Sequence, residues 1–221
     1  MKLLVSGLVK FTLGIVLVAA MLFLPAWTFA YPGAWLFLAV LFIPMLIMGV
    51  VLFAKAPGLL EKRLKNKEKE STQKGVVALS GLIFPLGFII SALDFRFSVS
   101  SVPLGCTVLA SVLFLSGYGM YGEVMRENAY LSRTVEVQEG QKVIDTGLYG
   151  LVRHPMYLAT LLMFIPIPLI LGSFLGLIPF ALYPAVIIVR ILNEEKVLSG
   201  ELDGYTEYKK KVKYRLIPYI W

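Results

Sequence analysis

Hydrophobic residues are concentrated in five long runs along the chain, and none of these runs contains a charged residue. The first four runs are each about twenty residues long, the length of an α-helix that crosses a hydrocarbon core of about 30 Å. The fifth is about 35 residues long, which is too long for one crossing. The pattern therefore predicts membrane-spanning helices over residues 11–30, 34–54, 76–93, 102–121 and 155–189.

Prolines and glycines interrupt the fifth run. Proline removes a backbone donor and glycine permits a tight turn, so we expect a helical hairpin that reverses near Gly172. Depending on how this run divides, the chain has five or six spans. The interrupting residues are Pro166, Pro168, Gly172, Gly176, Pro179 and Pro184.

The composition supports a membrane protein. Of the 221 residues, 58% are hydrophobic and 16% are charged, whereas a soluble domain carries about 25% charged residues. A secretory signal peptide is an alternative for the first run, but the run is long for one, and Thr28-Phe29-Ala30 is a poor cleavage site. We therefore expect an all-α, polytopic membrane helical bundle that retains its first helix.

The net charge of +7 raises the possibility of a nucleic-acid partner, but the positions of the basic residues argue against it. Lys and Arg lie mainly in 55–74, 122–154 and 190–215, outside the apolar runs. The positive-inside rule assigns such segments to the cytoplasm, so both termini are predicted to be cytoplasmic. The polar segment 61–74 is expected at the membrane surface, where it either contacts anionic lipid headgroups or only sets the topology.

This pattern divides the chain into two regions. Residues 1–121 hold four spans and the basic loop 55–74. Residues 122–221 hold the hairpin 155–189 and a cytosolic C-terminal helix. The second region also carries the residues with candidate chemistry, and we interpret it as the catalytic region.

Two kinds of site are disfavoured by the residues available. Cys106 and His154 are the single cysteine and the single histidine, so neither an intrachain disulfide nor a zinc site built on them is expected. The segment from Gly117 to Gly122 matches the GxGxxG dinucleotide pattern, but that pattern binds a pyrophosphate only between a strand and a helix. Here it ends an apolar span, so close helix packing through small residues is the better explanation.

The first informative block, GLYGLVRHPMY, covers residues 147–157 just before the fifth run. Turn-forming residues lead to the pair Arg153-His154 at the predicted membrane edge. Pro155 suits the first position of a helix, where its missing N–H removes no hydrogen bond, and the following N–H groups can bind polar ligand atoms. Taken alone, His154 is explained as well by an interfacial residue bonded to a headgroup or a carbonyl.

The second block, RILNEEKVL, begins at residue 190. Arg190 and Glu194 are four residues apart and share a helix face, whereas Glu195 points elsewhere. A surface ion pair would account for these two residues. However, they follow directly on an uncharged span, and ionisable groups close to the bilayer are often functional.

Together these blocks, with GYTEYKKKVKYRLIPYI after them, resemble the isoprenylcysteine carboxyl methyltransferase family and the related phospholipid methyltransferases. The resemblance runs from about residue 137 to the C-terminus, and it implies S-adenosylmethionine as the methyl donor and a lipophilic prenyl or lipid acceptor. By position, Arg190 corresponds to the arginine implicated with the substrate, and Arg190 and Glu194 are the implied catalytic pair. The implied donor-binding residues are Gln138, Gln141, Lys142, Val143, Ile144, Tyr149, His154, Pro155, Met156, Tyr157 and Glu194.

The residue types suit a direct methyl displacement, in which the protein mainly holds donor and acceptor in line. No metal is needed for this reaction. A carboxylate acceptor is ionised at neutral pH, and Arg190 can hold it through two parallel hydrogen bonds. Glu194 suits the cationic or amino-bearing parts of the donor, and Tyr149 and Tyr157 can provide aromatic faces for the sulfonium.

Three other functions compete with carboxyl methylation. A phospholipid or amine N-methyltransferase must deprotonate its nucleophile, and a neighbouring arginine disfavours an amine. A membrane reductase of sterol or quinone type would use a nicotinamide cofactor, but the sequence offers no arginine cluster for the cofactor phosphates. A transporter or scaffold is the third, and the spans carry few charges for an ion path, apart from Asp94 and Arg96 at a boundary.

Overall fold

The computed structural model describes residues 2–64, 71–131 and 137–221. Within these ranges every regular element is helical, which confirms the predicted all-α class. A 3-10 turn, Gly147–Gly150, precedes α6. In chain order the helices are α1 Lys2–Ala26, α2 Pro32–Lys55, α3 Pro57–Leu64, α4 Ser71–Phe97, α5 Leu104–Glu127, α6 Pro155–Phe164, α7 Ile167–Ile170, α8 Leu177–Phe180, α9 Tyr183–Glu201 and α10 Tyr205–Lys211.

Five helical segments among the described residues are long and apolar enough to cross a membrane. Their outward faces expose large apolar side chains, such as Leu13, Val50, Leu82 and Val108. An apolar surface this extensive is unfavourable in water and favourable in lipid, which fits the predicted polytopic bundle. The five segments are Leu3–Ala26, Pro32–Lys55, Ala78–Phe97, Leu104–Glu127 and Leu177–Glu201.

The helices are longer than the apolar runs that predicted them. α1 begins at Lys2 rather than at residue 11, and α5 continues to Glu127 rather than ending at residue 121. A run of apolar residues marks only the part of a helix that lies in hydrocarbon. The backbone hydrogen bonds continue into the polar interface, so these two ends lie outside the runs. The opposite ends lie inside them, because α1 stops at Ala26 and α5 starts at Leu104.

The predicted surface segment 61–74 is described only in part, because residues 65–70 lie outside the described residues. Its beginning belongs to α3, which follows α2 after a break at Ala56. Leu59 of α3 is buried, while Lys62 and Arg63 occupy the last turn. α3 is therefore a short amphipathic helix at the end of α2.

The fifth run reverses direction at Gly172, whose φ of 81° is a left-handed conformation that suits glycine. α6 and α7 precede the turn and together cover 155–170, a length of about 24 Å at 1.5 Å per residue. The Leu171 carbonyl accepts a hydrogen bond of 2.7 Å from the hydroxyl of Tyr31, which lies between α1 and α2. The hairpin tip thus lies at the end of the bundle opposite α3, which we call the far end.

A buried carboxylate attaches the hairpin tip to α4. Asp94, which is 2% exposed, accepts hydrogen bonds from the Ser173 hydroxyl at 2.5 Å and from the Ser100 hydroxyl at 2.6 Å. The Ser100 backbone N–H donates to the same carboxylate at 2.7 Å. These bonds fix the tip against α4 and the loop that follows it.

The GxGxxG segment lies inside α5 and serves helix packing. A Cβ at Gly117 would approach Met163 Cγ to 2.7 Å and the Ala159 carbonyl oxygen to 2.9 Å. Only a glycine therefore lets α5 approach α6 this closely. This geometry supports the packing explanation. The segment also lies within a helix, so it does not follow a strand as a dinucleotide-binding motif does.

Candidate active site

A cleft lies at the end of the bundle where α5 and α9 finish, which we call the site end. Of the twelve site residues expected from the sequence, ten line this cleft: Gln141, Lys142, Val143, Ile144, Tyr149, His154, Met156, Tyr157, Arg190 and Glu194. The two blocks, which are about 40 residues apart in the sequence, therefore line one cleft.

The other two expected residues support the cleft from beside it. The Gln138 backbone N–H donates to the side-chain oxygen of Gln141 at 2.9 Å, and the Gln138 amide donates to the Tyr130 carbonyl at 2.5 Å. Pro155 is buried at the first position of α6, as the sequence predicted. Both residues thus hold neighbours that face the cleft.

The C-terminal segment positions the start of α6. The Arg153 N–H donates to the Tyr214 carbonyl and the His154 N–H donates to the Arg215 carbonyl, both at 2.9 Å. These bonds leave the His154 carbonyl to accept the first helical bond, from the Tyr157 N–H at 3.1 Å. The RHP segment is thus held between α6 and the tail rather than lying free at the membrane edge.

Glu195 forms the centre of a buried ionic network below the cleft. Its carboxylate is 2.7 Å from Arg153 Nε, 2.9 Å from Arg215 Nε and 3.2 Å from His154 Nε2. Arg153 also donates to the carbonyls of Val212 and Lys213. Glu195 does point away from Glu194, as expected from the helical spacing, and it joins α9 to the RHP segment and the tail.

Glu194 and Arg190 are linked through the hydroxyl of Tyr157. This hydroxyl donates a short hydrogen bond to Glu194 and accepts one of 2.9 Å from Arg190 Nε. The Arg190 guanidinium also lies 5.8 Å from the centre of the Tyr157 ring. A buried tyrosine therefore sets the relative positions of an acidic and a basic group on the cleft wall.

Tyr149 forms another part of the wall. Its hydroxyl accepts a hydrogen bond of 2.9 Å from the Asn128 amide, and its carbonyl accepts one of 2.7 Å from the Tyr208 hydroxyl. Burial raises the pKa of Tyr149 to about 12, so the phenol stays neutral at physiological pH. The hydroxyl and the carbonyl of Tyr149 are thus both hydrogen-bonded, and its neutral ring is a fixed aromatic surface.

α10 covers one side of the cleft and is tied to the opposite rim. Lys211 and Asp145 form an exposed ion pair of 2.6 Å. The hydrogen bond from Lys211 lowers the pKa of the Asp145 carboxyl. Because exposed ion pairs contribute little to stability, this contact orients α10 but holds it only weakly.

Among the described residues, the cleft is lined by eight more that the sequence prediction did not include. Two of them, Leu198 on α9 and Leu202 directly after it, continue the four-residue spacing of Arg190 and Glu194, so helical periodicity was a usable signal. Arg153 adjoins His154 in the first block, and the others come from segments whose approach depends on the tertiary fold. The eight are Asn128, Tyr130, Leu131, Arg153, Leu198, Leu202, Tyr205 and Tyr208.

Tyr205 has a notable property among them. Its hydroxyl is buried on the cleft wall and has no hydrogen-bond partner within the described part of the chain. A buried hydroxyl without a partner is unfavourable by roughly 1–3 kcal/mol. A polar ligand atom in the cleft would provide the missing partner.

The comparisons with known proteins agree with this architecture. Residues 105–202 match the family model for phospholipid methyltransferases. The matched segment runs from α5 to the end of α9, and it contains both sequence blocks. This match supports a membrane methyltransferase as the class of protein.

A curated relative has a different named activity. Over 135 residues the chain is 27% identical to a Delta(14)-sterol reductase from Mus musculus, which covers 54% of this chain and 32% of the reductase. The chain thus spans about a third of the length of this relative. The likeness gives partial support to a reductase as the alternative.

Proposed function

We propose that this protein is an integral membrane methyltransferase that uses S-adenosylmethionine to methylate the carboxylate of an isoprenylcysteine-like lipophilic acceptor. The observation that carries the proposal is the Arg190–Tyr157–Glu194 arrangement on the cleft wall. It presents a cation for an acceptor carboxylate beside an anion for a positively charged donor. The phospholipid methyltransferase match over 105–202 supports the same class.

The cleft residues fit S-adenosylmethionine. The donor carries an amino group, a carboxylate, ribose hydroxyls and a sulfonium. Glu194 suits the cationic groups, Lys142 suits the carboxylate, and the unpartnered hydroxyl of Tyr205 suits a polar atom. The neutral rings of Tyr149 and Tyr157 suit the sulfonium or the adenine. When bound, the donor supplies an already activated methyl group.

The protein's own part in the reaction is to orient the acceptor. Arg190 would hold the acceptor carboxylate in its ionised, nucleophilic form. Tyr157 fixes Arg190 relative to Glu194, so both reactants are held by one rigid unit. Correct alignment alone can lower a bimolecular barrier by several kcal/mol.

The surroundings of Arg190 support a lipophilic acceptor. Val189 and Leu192 flank it on α9, and each is 47% exposed on an outward surface of a candidate span. An acceptor with a prenyl tail would therefore meet apolar side chains next to the cation that holds its carboxylate. The basic loops support a cytoplasmic location of the cleft and of both termini.

Two measurements test this proposal. Calorimetry with protein purified in detergent should detect binding of S-adenosylmethionine, whereas tight binding of NADPH without S-adenosylmethionine binding would overturn the methyltransferase assignment. Labelled methyl donor should then transfer its label to an N-acetylated S-farnesylcysteine but not to the corresponding amide. Transfer to phosphatidylethanolamine in place of the free acid would instead assign the protein as a phospholipid N-methyltransferase.

The second candidate is a nicotinamide-dependent membrane reductase, favoured by the likeness to the mouse sterol reductase. Such an enzyme needs cationic side chains for the cofactor phosphates. On the cleft wall, Arg153 is already bonded to Glu195 and to two carbonyls. The negative charge of Glu194 in the same cleft also disfavours a polyanionic cofactor, so we rank the reductase second.

A further inference from the structure

A second, apolar groove lies at the site end, between the last turns of α2 and α5 and under α3. Its volume is about 450 Å³, within the range of roughly 300–1,000 Å³ of small-molecule sites. Met48, Leu52 and Met125 form much of its floor. From Met48 to Lys55 the groove follows α2 for about 10 Å at 1.5 Å per residue.

The charged residues of this groove are all basic. Among the residues that the structure describes, twelve line the groove, and they include Lys55, Lys62 and Arg126 but no acidic residue. Lys55 lies in the last turn of α2 and Arg126 in the last turn of α5, so both cations stand where the spans end. The groove is thus apolar along its length and positively charged at its rim.

The contacts of Arg126 and Lys62 leave both cations able to bind an anion. Arg126 pairs with Glu123 at 2.5 Å, but these side chains are 71% and 41% exposed, and exposed pairs are weak. The Lys62 ammonium makes a long contact of 3.4 Å with the Ala129 carbonyl and lies 5.9 Å from the Tyr130 ring. Phosphate is a better partner for an ammonium than either of these contacts.

We propose that this groove binds an anionic phospholipid, with an acyl chain along α2 and α5 and the phosphate at Lys55, Lys62 and Arg126. A glycerophospholipid has the matching order of groups, an apolar chain directly followed by a negative charge at the level of the interface. Basic clusters where spans end recognise anionic headgroups in this way. The groove and the cleft are neighbours, but none of the described residues lines both of them.

Native mass spectrometry of the full chain in detergent tests the proposal. The protein is titrated with dioleoylphosphatidylglycerol or with zwitterionic dioleoylphosphatidylcholine. Phosphatidylglycerol is expected to bind several-fold more tightly. Lys62→Gln should weaken its binding about fivefold, with phosphatidylcholine binding unchanged. Lys55→Gln should act in the same direction and serves as the second variant if Lys62→Gln does not fold.

A groove-filling variant separates a specific site from diffuse charge. Gly58 lines the groove and has open space where a Cβ would lie, so Gly58→Leu should fold and occupy the acyl position. It should weaken the binding of both lipids. Lys210→Gln removes one exposed positive charge from α10 and is the matched control, expected to bind both lipids as the unmodified protein does.

Three results would overturn the proposal. The first is equal binding of the two lipids, and the second is an equal loss of phosphatidylglycerol binding in Lys210→Gln and Lys62→Gln. The third is full phosphatidylglycerol binding by Gly58→Leu. Because the readout is lipid binding without methyl donor or acceptor, it does not depend on whether the protein is a methyltransferase. Failure of one proposal is therefore distinguishable from failure of the other.

Discussion

Glu194 and Glu195 are neighbours on α9, yet they occupy opposite kinds of environment. Glu195 is 6% exposed and is surrounded by Arg153, Arg215 and His154. Glu194 lines the cleft, where it accepts a hydrogen bond from Tyr157. Successive residues of a helix are rotated by about 100° around its axis. This rotation places the Glu195 carboxylate among three chain segments and the Glu194 carboxylate on the cleft wall.

The difference shows that neighbouring carboxylates of one short motif can lie in different environments, one in a buried ionic network and one on a cleft wall. A buried carboxylate with several cationic donors has its lone pairs occupied, so it has little left for a ligand. A carboxylate on a cleft wall keeps lone pairs for groups that enter. Substitutions at the two positions should therefore have effects of different kinds.

Glu195→Ala should have the largest effect, and the effect should be on stability. It removes the shared acceptor of two arginines, and breaking a buried ion pair costs about 3–5 kcal/mol. The midpoint of thermal unfolding in detergent, followed by intrinsic fluorescence, should fall clearly. Glu201→Ala, an exposed change on the same helix, is the control and should leave the midpoint in place. An unchanged midpoint in Glu195→Ala would contradict the structural role.

Glu194→Gln should instead reduce donor affinity while the protein remains folded. The amide retains an oxygen for the Tyr157 hydroxyl but loses the charge that suits a cationic donor. Loss of a charge-assisted bond corresponds to a decrease of about 10- to 100-fold in affinity. Calorimetry with S-adenosylmethionine measures this change, and a Kd equal to that of the unmodified protein would remove Glu194 from the donor site.

Arg190→Lys should reduce turnover with little change in donor binding. Lysine retains the charge but cannot form two parallel bonds to a carboxylate, and it cannot reproduce the Nε bond to Tyr157. We expect kcat to fall about tenfold or more at saturating donor, a loss of alignment. If donor affinity falls and kcat does not, the roles of Arg190 and Glu194 are assigned the wrong way round.

Tyr205→Phe should have the smallest effect. It should lower the affinity for the donor and leave the stability unchanged or slightly higher. The Tyr205 hydroxyl has no partner in the described structure, so its removal should leave the unfolding midpoint unchanged or slightly higher. If a donor atom bonds this hydroxyl, affinity for S-adenosylmethionine should fall by about 2- to 10-fold. Unchanged affinity would show that the hydroxyl does not contact the donor.

Much of the fold could be predicted because hydropathy and turn residues act locally. The apolar runs indicated the spans, Pro155 indicated the start of α6, and Gly172 lies at the reversal of the fifth run. The two blocks also indicated most of the cleft wall, since their residues share helix faces or one short turn. These features depend on neighbours within a few residues in the chain.

The partners of Glu195 could not be predicted in the same way. Arg153 is 42 residues away in the sequence and Arg215 is 20 residues away, and their approach depends on how α6, α9 and the tail pack. Tyr205 and Asn128 enter the cleft for similar reasons, through the path of the chain after α9 and after α5. A helical pattern defines which residues share a face, but it does not define which other segment of the chain packs against that face.

The attachment of the hairpin tip has a mechanical consequence. Asp94 and Tyr31 hold the tip at the far end, so a relative movement of α6–α7 and α9 would pivot about a fixed point. A tilt of about 5° about that point moves the other end of a segment of about 24 Å by about 2 Å. At that end, Tyr157 of α6 is bonded to Arg190 and Glu194 of α9, so the hairpin is fastened at both ends and a tilt of this kind requires these bonds to break.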